Sequence, residues 1–281
     1  MRIEDMKTWF ITGAARGLGL EIARAALDTG DQVIATARDP DHILLALPSY
    51  GDRLHVVRLD VTHDTTEGIA ADAARYFGGV DVLVNNAGYG QLGAFEEVTR
   101  QSVEKQFATN VFGVFDVTRA ILPIMRRQRS GRILTIASIA GIEGFEGSSI
   151  YCATKHALSG WSEGVAKEVA TFGIQMTSVY PGRFRTDFLD GSSVRYGEIV
   201  IEDYAASSDA HRRALDDNNH LQQGDPVKFA QAILKLVMSS QPPLQFGAGS
   251  DAYAVFRKKA AELQETAEQW KSLMLSTDFQ E

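Results

Sequence analysis

The feature that most constrains the fold of this 281-residue chain is a regular alternation of short apolar runs with longer amphipathic segments. The short runs are rich in β-branched residues and apolar nearly throughout, as expected of strands covered on both faces. Such strands, alternating with helices, form parallel sheets with helices on both sides. The strands are predicted at 8–11, 32–36, 54–59, 80–84, 132–137, 174–179 and 244–246, and the helices at 20–27, 67–77, 99–127, 150–172, 226–238 and 252–275. The sequence therefore predicts an α/β fold with a doubly wound parallel β-sheet.

The pattern breaks after the sixth predicted strand. Residues 187–223 are polar, mixed in charge and poor in core residues, so we expect a loop with short helices over the sheet edge that acts as a substrate lid. Order returns at Asp225 and Pro226, which are suited to cap and open a helix. A linker rich in Pro, Gly or Ser is lacking. Residues 1–281 are therefore predicted to form a single domain, with 251–281 as a C-terminal helical extension.

Composition and charge limit the classes of function. The chain is 44% apolar and 23% charged, which is typical of a globular protein, and its net charge of −8 is opposite to that of a generic nucleic-acid or anionic-membrane binder. The single cysteine, Cys152, excludes an intrachain disulfide, and the six histidines show no metal-ligand spacing. No signal peptide is visible, and no apolar run approaches the roughly 20 residues that cross a bilayer. We expect a cytoplasmic protein with no metal, membrane or nucleic-acid partner.

A glycine-rich segment at 12–19 (TGAARGLG) lies between the first predicted strand and the first helix. Its G-x-x-x-G-x-G spacing differs from the commonest dinucleotide fingerprint, but the strand–turn–helix context favours a turn whose backbone N–H groups face a pyrophosphate. At the end of the second strand, where an acidic side chain would bind the ribose of NAD, the chain has Ala37 and Arg38. Arg38, with Arg16 in the turn, is suited to pair with a 2′-phosphate. The sequence therefore predicts NADP(H) in preference to NAD(H).

Three side chains are candidates for carbonyl–alcohol chemistry. Tyr151 and Lys155 are four residues apart at the start of a long helix and share one face of it, and Ser138 ends the preceding strand. Strand ends and helix starts meet at one edge of such a sheet, so the three side chains can converge. We expect the ammonium of Lys155 and a positive nicotinamide to lower the pKa of the phenol, and Ser138 to bind the substrate oxygen.

The glycine-rich segment, Ser138 and the pair Tyr151 and Lys155, together with three other motifs, resemble the short-chain dehydrogenase/reductase family of the compact type. The others are 85–88 (NNAG), Asn110 and Pro181-Gly182, and all occur in the family order over about residues 7–186. The resemblance implies a single-domain Rossmann-type fold. It points to a branch that is hydroxysteroid/retinol dehydrogenase-like or ketoreductase-like.

The resemblance also implies a role for each matching residue. Tyr151 is implied as the general acid in reduction and the base in oxidation, and Lys155 as the ligand of the nicotinamide ribose. Ser138 would orient the substrate oxygen. Asn110 would interrupt its helix and hold a water in a proton relay. Asp60 and Val61 would touch the adenine, and Pro181, Gly182 and Thr186 would hold the nicotinamide. The implied cofactor-binding residues are Gly13, Ala15, Arg16, Gly17, Leu18, Gly19, Arg38, Asp60, Val61, Asn86, Ala87, Gly88, Tyr151, Lys155, Pro181, Gly182 and Thr186.

The predicted function is NADP(H)-dependent hydride transfer between the nicotinamide and a small-molecule ketone or secondary alcohol. Two alternatives stay open: a catalytically silent NADP(H)-binding regulator, and a sugar epimerase or dehydratase. The complete set Asn110, Ser138, Tyr151 and Lys155 argues against the first, and the glycine spacing and the lack of a larger C-terminal domain argue against the second. Because the family forms dimers through its two long helices and tetramers through its last helix and strand, the C-terminal extension is expected to favour a homodimer over a tetramer.

Overall fold

A computed structural model describes residues 6–279, and within them the predicted parallel sheet is confirmed. The strands are β1 (Thr8–Thr12), β2 (Gln32–Ala37), β3 (Leu54–Arg58), β4 (Val82–Asn85), β5 (Gly90–Leu92), β6 (Gly131–Ile136), β7 (Ile174–Pro181), β8 (Val194–Tyr196) and β9 (Gln245–Ala248). Seven of them form one parallel sheet in the order β3-β2-β1-β4-β6-β7-β9, and β5 and β8 form a separate parallel pair. The strand order reverses between β1 and β4, the position at which doubly wound sheets bind ligands.

Helices cover both faces of this sheet. They are α1 (Gly17–Asp28), α2 (Asp41–Ala46), α3 (Thr66–Ala73), α4 (Arg100–Phe107), α5 (Gly113–Gln128), α6 (Ser149–Val169), α7 (Glu202–Asn218), α8 (Pro226–Met238) and α9 (Ser250–Leu275). Trp9 and Ile11 pack in one core with α1 and α8, while Phe10 packs in another with α3, α5 and α6. Successive side chains of a strand point to opposite faces. The apolar run of β1 therefore supplies both cores, which explains why it does not alternate with polar residues.

The long predicted helix at 99–127 is observed as Arg100–Gln128, with a π-helical turn at Ala108–Phe112 joining α4 to α5. By length and composition alone this helix would suffice to cross a membrane, since its most apolar stretch has a mean hydropathy of 1.2. Helices that pack on the core of a protein have the same composition. Here Val117, Ile121 and Met125 are fully buried in the core beneath the sheet, so we assign the helix to that core.

Residues 187–223, here called the lid, contain more regular structure than the predicted loop with short helices. They hold the strand β8 and the 17-residue helix α7. Over its whole length, Glu202–Asn218, every residue of α7 is at least partly exposed. The helix therefore lacks the apolar stripe by which a sequence reveals a helix.

Two features near the C-terminus follow the sequence. The predicted cap at Asp225 is confirmed, because its Oδ1 accepts hydrogen bonds from the backbone N–H groups of Val227 (2.9 Å) and Lys228 (3.3 Å). The last helix, α9, packs on the body near its start, where Phe256 contacts Tyr180 with ring centroids 5.4 Å apart. All residues from 261 to 279 are exposed. The effect of this extension on assembly stays a prediction.

Candidate active site

The glycine-rich turn after β1 packs tightly against the chain after β4. Gly13 and Gly17 have φ angles of 66° and 56°, a conformation that favours glycine. A Cβ on Gly19 would collide with Asn86 Nδ2 and would lie 2.5 Å from the carbonyl O of Gly13. Asn86 Nδ2 donates to the carbonyl oxygens of Thr12 and Gly13, both at 3.0 Å. The segment 85–88 therefore fixes the shape of the turn.

The first helix opens directly from this turn. The residue before it, Arg16, gives the N-terminus of α1 no side-chain cap. Its first N–H groups thus remain available to an anion, and the helix dipole favours a negative group there. Ala15 and Leu18 are partly buried against the core below. The turn thus offers uncapped backbone N–H groups at a helix start, in a space that a Cβ would fill. This arrangement fits the pyrophosphate of a dinucleotide.

The two arginines assigned to a 2′-phosphate differ in their surroundings. Arg38 directly follows β2 and is exposed. The guanidinium of Arg16 instead reaches the lid, where Nη1 donates to Ser192 Oγ at 2.5 Å and Nη2 donates to the Ser192 carbonyl O at 3.1 Å. Arg16 therefore connects the glycine-rich turn to the lid, a contact that the sequence did not predict. Its binding to a 2′-phosphate stays a prediction.

Asp60 and Val61 lie at the end of β3, beside β2. Asp60 Oδ1 accepts hydrogen bonds from the backbone N–H and the hydroxyl of Thr62, at 3.0 and 2.8 Å. Val61 is buried beneath α5, and a Cβ on Gly113 would lie 2.7 Å from Val61 Cβ. These contacts fix the turn at the edge of the sheet where the resemblance places the adenine.

Asn110 lies in the π-helical turn, so the expected interruption of its helix is observed. Its Oδ1 accepts from the backbone N–H of Tyr89 (3.1 Å), and its Nδ2 donates to the Tyr89 carbonyl O (3.0 Å) and to Thr154 Oγ1 (3.2 Å). A Cβ on Gly88 would lie 3.2 Å from Asn110 Oδ1. Asn110 thus holds the backbone after β4 next to α6, and its water relay stays a prediction.

Ser138, Tyr151 and Lys155 meet at the carboxyl edge of the sheet. Ser138 follows β6, and its Oγ accepts from the backbone N–H of Ala140 at 3.1 Å. Tyr151 and Lys155 lie in the first two turns of α6. Lys155 Nζ donates to the Ile136 carbonyl O at 2.8 Å and is 5.7 Å from the centroid of the Tyr151 ring. The helix spacing and the strand end thus bring all three side chains together.

Burial dominates the electrostatics of this group. It raises the pKa of Tyr151 well above its ordinary value near 10, and a hydrogen bond with the Ser138 hydroxyl opposes that rise only in part. Burial also lowers the pKa of Lys155 from 10.5 to about 8. In the protein alone the pKa of the phenol is therefore raised, not lowered, because loss of hydration is the largest contribution. The lowering expected beside a positive nicotinamide stays a prediction. Tyr151 is a neutral phenol at pH 7 and can donate a proton.

The segment after β7 joins the glycine-rich turn. Gly182 N–H donates to the Ala248 carbonyl O at 2.9 Å, and a Cβ on Gly182 would collide with the carboxylate of Asp251. Thr186 Cβ lies 3.5 Å from the position that a Cβ on Gly17 would take. Pro181, Gly182 and Thr186 therefore lie where β7 and the turn meet, the place that the resemblance assigns to the nicotinamide.

Two site residues were missed from the sequence. Gln106 is fully buried, accepting from the backbone N–H of Gln91 at 2.5 Å and donating to the Tyr89 carbonyl O at 2.6 Å. It shares Tyr89 with Asn110. Phe188, at the start of the lid, lies against the Tyr151 ring with centroids 5.7 Å apart. Both contacts join residues distant in the chain, and neither has a local signal in the sequence.

The chain also contains a thiol next to Tyr151 and a cluster of potential metal ligands in the lid. Cys152 is buried and accepts from the backbone N–H of Phe145, and burial raises the pKa of its thiol, so it is a packing residue. Within the described chain, ligand atoms of Asp187, Asp190 and His220 lie within 4.8 Å of one another. His220 Nε2 is 3.1 Å from Asp190 Oδ1. This pair connects the two ends of the lid.

The chain is similar to known proteins both in sequence and in structure. A family model described as short chain dehydrogenase matches residues 7–195. Oxidoreductase BOA17 of Botryotinia fuckeliana is 40% identical over 274 residues, which cover 96% of this chain and 99% of that protein. The crystal structure of a short-chain dehydrogenase from Streptomyces avermitilis superposes with a TM-score of 0.89 at 38% identity, covering 98% of this chain and 100% of the other.

Similar solved structures contain either nicotinamide cofactor. A short-chain dehydrogenase/reductase from Burkholderia phymatum in complex with NAD has a TM-score of 0.81 at 25% identity, and covers 94% of this chain and 97% of its own. ElxO with NADP bound has a TM-score of 0.71 at 27% identity, covering 86% of this chain and 96% of its own. A nicotinamide cofactor is thus common to the group, whereas the choice between NAD and NADP varies within it.

Proposed function

The chain belongs to the short-chain dehydrogenase/reductase family, and on that premise we propose that it transfers a hydride between NADP(H) and a ketone or secondary alcohol, with Tyr151 as general acid and base. Membership makes it an oxidoreductase that acts on CH–OH groups with a nicotinamide cofactor. One observation carries the finer proposal. The Tyr151 phenol stands between Ser138 and Lys155 at the same edge of the sheet as the glycine-rich turn.

The chain offers a complete set of groups for the cofactor. The turn at 13–19 and the start of α1 would hold the pyrophosphate, Lys155 the nicotinamide ribose, and 181–186 the nicotinamide. Asp60 would lie toward the adenine. The bound cofactor supplies a hydride to the carbonyl carbon in reduction and accepts one in oxidation.

Tyr151 manages the proton in either direction. In reduction its phenol donates the proton to the carbonyl oxygen. In oxidation the phenol must first lose its proton, and the resulting phenolate then takes the proton from the alcohol. The high pKa in the unliganded protein suits the donor, since the group is protonated at pH 7. Lys155, with a pKa of about 8, is mostly charged at pH 7 and stabilises the phenolate that remains after donation. Ser138 Oγ hydrogen-bonds the substrate oxygen while negative charge develops on it.

The preference for NADP(H) is supported by Arg38. It is exposed at the end of β2, at the position where NAD-binding chains carry an acid. Replacing Arg38→Asp should raise the KM for NADPH by about 10- to 100-fold, since it replaces an attractive charge by a repulsive one, and should leave the KM for NADH within about twofold. Arg75→Asp makes the same charge change at an exposed site on another part of the surface and should alter neither. Equal KM values for NADPH in the wild type and Arg38→Asp would refute the preference.

A homodimer through α4, α5 and α6 is proposed as the assembly. Phe112 is 55% exposed on this face and lies in one aromatic row with Phe115 and Trp161, at centroid distances of 6.2 and 4.9 Å. Aromatic side chains that reach the surface in this way are typical of an interface between subunits. A cytoplasmic location stays a prediction from the sequence.

The test of the proposed activity is a panel of ketones and secondary alcohols, followed by absorbance of NADPH. The panel should contain aromatic, aliphatic and charged members, each measured with NADPH and with NADH. We expect turnover of at least one carbonyl class with release of the matching alcohol. A chain that binds NADPH but turns over no member of the panel would instead support the silent regulator.

A further inference from the structure

Phe188 occupies the space directly beside the phenol of Tyr151. It is the middle residue of the 3-10 turn Asp187–Leu189 at the start of the lid. Its ring centroid lies 5.7 Å from that of Tyr151, with the two planes inclined at 50°. On the opposite side, a Cβ on Gly90 would lie only 3.3 Å from Phe188 Cζ. The ring thus lies between β5 and the start of α6, directly beside the phenol that is proposed to react with the substrate.

The turn that carries Phe188 is anchored on both sides. Thr186 Oγ1 accepts from the backbone N–H of Phe188 at 3.3 Å. Beyond the turn, Ser192 is held by the guanidinium of Arg16, and Val194 pairs with Gly90 in the β5–β8 ladder. The ring therefore takes its position from the backbone of the lid.

Both aromatic rings are only partly exposed, and the phenol has lost most of its hydration. The Phe188 ring thus shields one side of the Tyr151 ring from solvent. Once displaced, the ring still belongs to a turn that is anchored beside the site, so it lies against whatever group is attached to the reacting carbon. An aromatic contact of this kind adds to the stabilisation that comes from burial of the apolar area. A charged group there would lose hydration without gaining a partner.

We propose that Phe188 is a specificity-determining residue, which covers Tyr151 in the absence of substrate and forms the apolar wall of the substrate site when it moves aside. The substrates that it favours are ketones or alcohols with a flat apolar substituent, such as an aryl group, on the reacting carbon. This inference rests on the proposed function, since it needs Tyr151 as the reacting group.

Gly90 provides a second, independent way to perturb the same contact. Its φ is not in the left-handed region, so Gly90→Ala brings no backbone strain. The added methyl group meets the Phe188 ring at 3.3 Å and Val194 Cγ2 at an ordinary 3.7 Å. The ring must therefore shift when Gly90 is replaced, whereas removal of the ring leaves room for the methyl group.

A double-mutant cycle tests the proposal with one aryl ketone and one small aliphatic ketone. Phe188→Ala should lower the ratio of their kcat/KM values, aryl over aliphatic, by about tenfold, and Phe188→Leu by less. Gly90→Ala should change that ratio in the wild-type background but leave it unchanged in the Phe188→Ala background. Equal ratios in the wild type and Phe188→Ala, or additive effects of the two substitutions, would overturn the proposal.

A second measurement needs no turnover. Tetranitromethane nitrates accessible tyrosines, and peptide mass spectrometry reports the rate at Tyr151. That rate should rise in Phe188→Ala, while the rate at the exposed Tyr253 stays constant as an internal control. An unchanged rate at Tyr151 would show that Phe188 does not cover it. If the wild type reduces no carbonyl at all, the proposed function fails, and nitration still decides whether the cover exists.

Discussion

Lys155 should destabilise the protein at neutral pH. Burial lowers the pKa of its amine from 10.5 to about 8, and the residue is 6% exposed. Keeping the amine protonated in the fold at pH 7 therefore costs about 3 kcal/mol relative to the unfolded chain. The folded pKa is the lower one, so this cost is fully present below pH 8 and fades as the pH rises toward 10.5. Lys155→Met removes the charge and keeps an unbranched side chain.

The assay is urea unfolding of the wild type and Lys155→Met between pH 7 and pH 10. Loss of the 2.8 Å bond to the Ile136 carbonyl O weakens the variant by about 1–3 kcal/mol, and this part does not depend on pH. From pH 7 to pH 10, the free energy of unfolding of the wild type should therefore rise by about 2–3 kcal/mol relative to that of the variant. A difference that stays constant with pH would refute the reasoning.

Three further substitutions have defined outcomes. Gly182→Ala should lower the free energy of unfolding by several kcal/mol, because its methyl group collides with Asp251. In urea unfolding, the double variant Gly182→Ala, Asp251→Gly should recover part of that loss. If the double variant recovers nothing, the collision is not the cause. Asp225→Ala should cost about 1 kcal/mol of unfolding free energy with an unchanged kcat, because it removes only a helix cap. Gln106→Leu should lower kcat through the Tyr89 backbone while NADPH affinity by fluorescence stays the same; weaker NADPH binding would place its role elsewhere.

Much of the fold could be predicted because its strands are buried on both faces. An apolar run such as β1 is stable only when both of its faces are buried, as they are in the two cores. Its alternation with helices then selects the parallel sheet. The convergence of Tyr151 and Lys155 followed from helical spacing. These parts of the structure depend on residues that are close in sequence or on a repeated pattern.

The lid could not be predicted in the same way. Its attachment depends on side-chain contacts between distant segments, for example Tyr204 with Glu96 and Ser208 with Glu97, both at 2.6 Å. Because α7 does not bury any of its residues 202–218, its sequence is polar and predicts a loop. The contact of Phe188 with Tyr151 likewise arises only when the lid packs beside the start of α6. The raised pKa of Tyr151 in the protein alone could not be predicted for a related reason, since burial is a property of the assembled site.

The most direct test of the account compares Tyr151→Phe with the wild type on the best carbonyl substrate of the panel. The substitution removes one hydroxyl and keeps the ring that contacts Phe188. We expect NADPH-dependent turnover to fall by about 100- to 10,000-fold, while the Kd for NADPH, measured by fluorescence, stays within about twofold. Retention of wild-type turnover in Tyr151→Phe, with cofactor binding intact, would contradict the assignment of the proton transfer to this phenol.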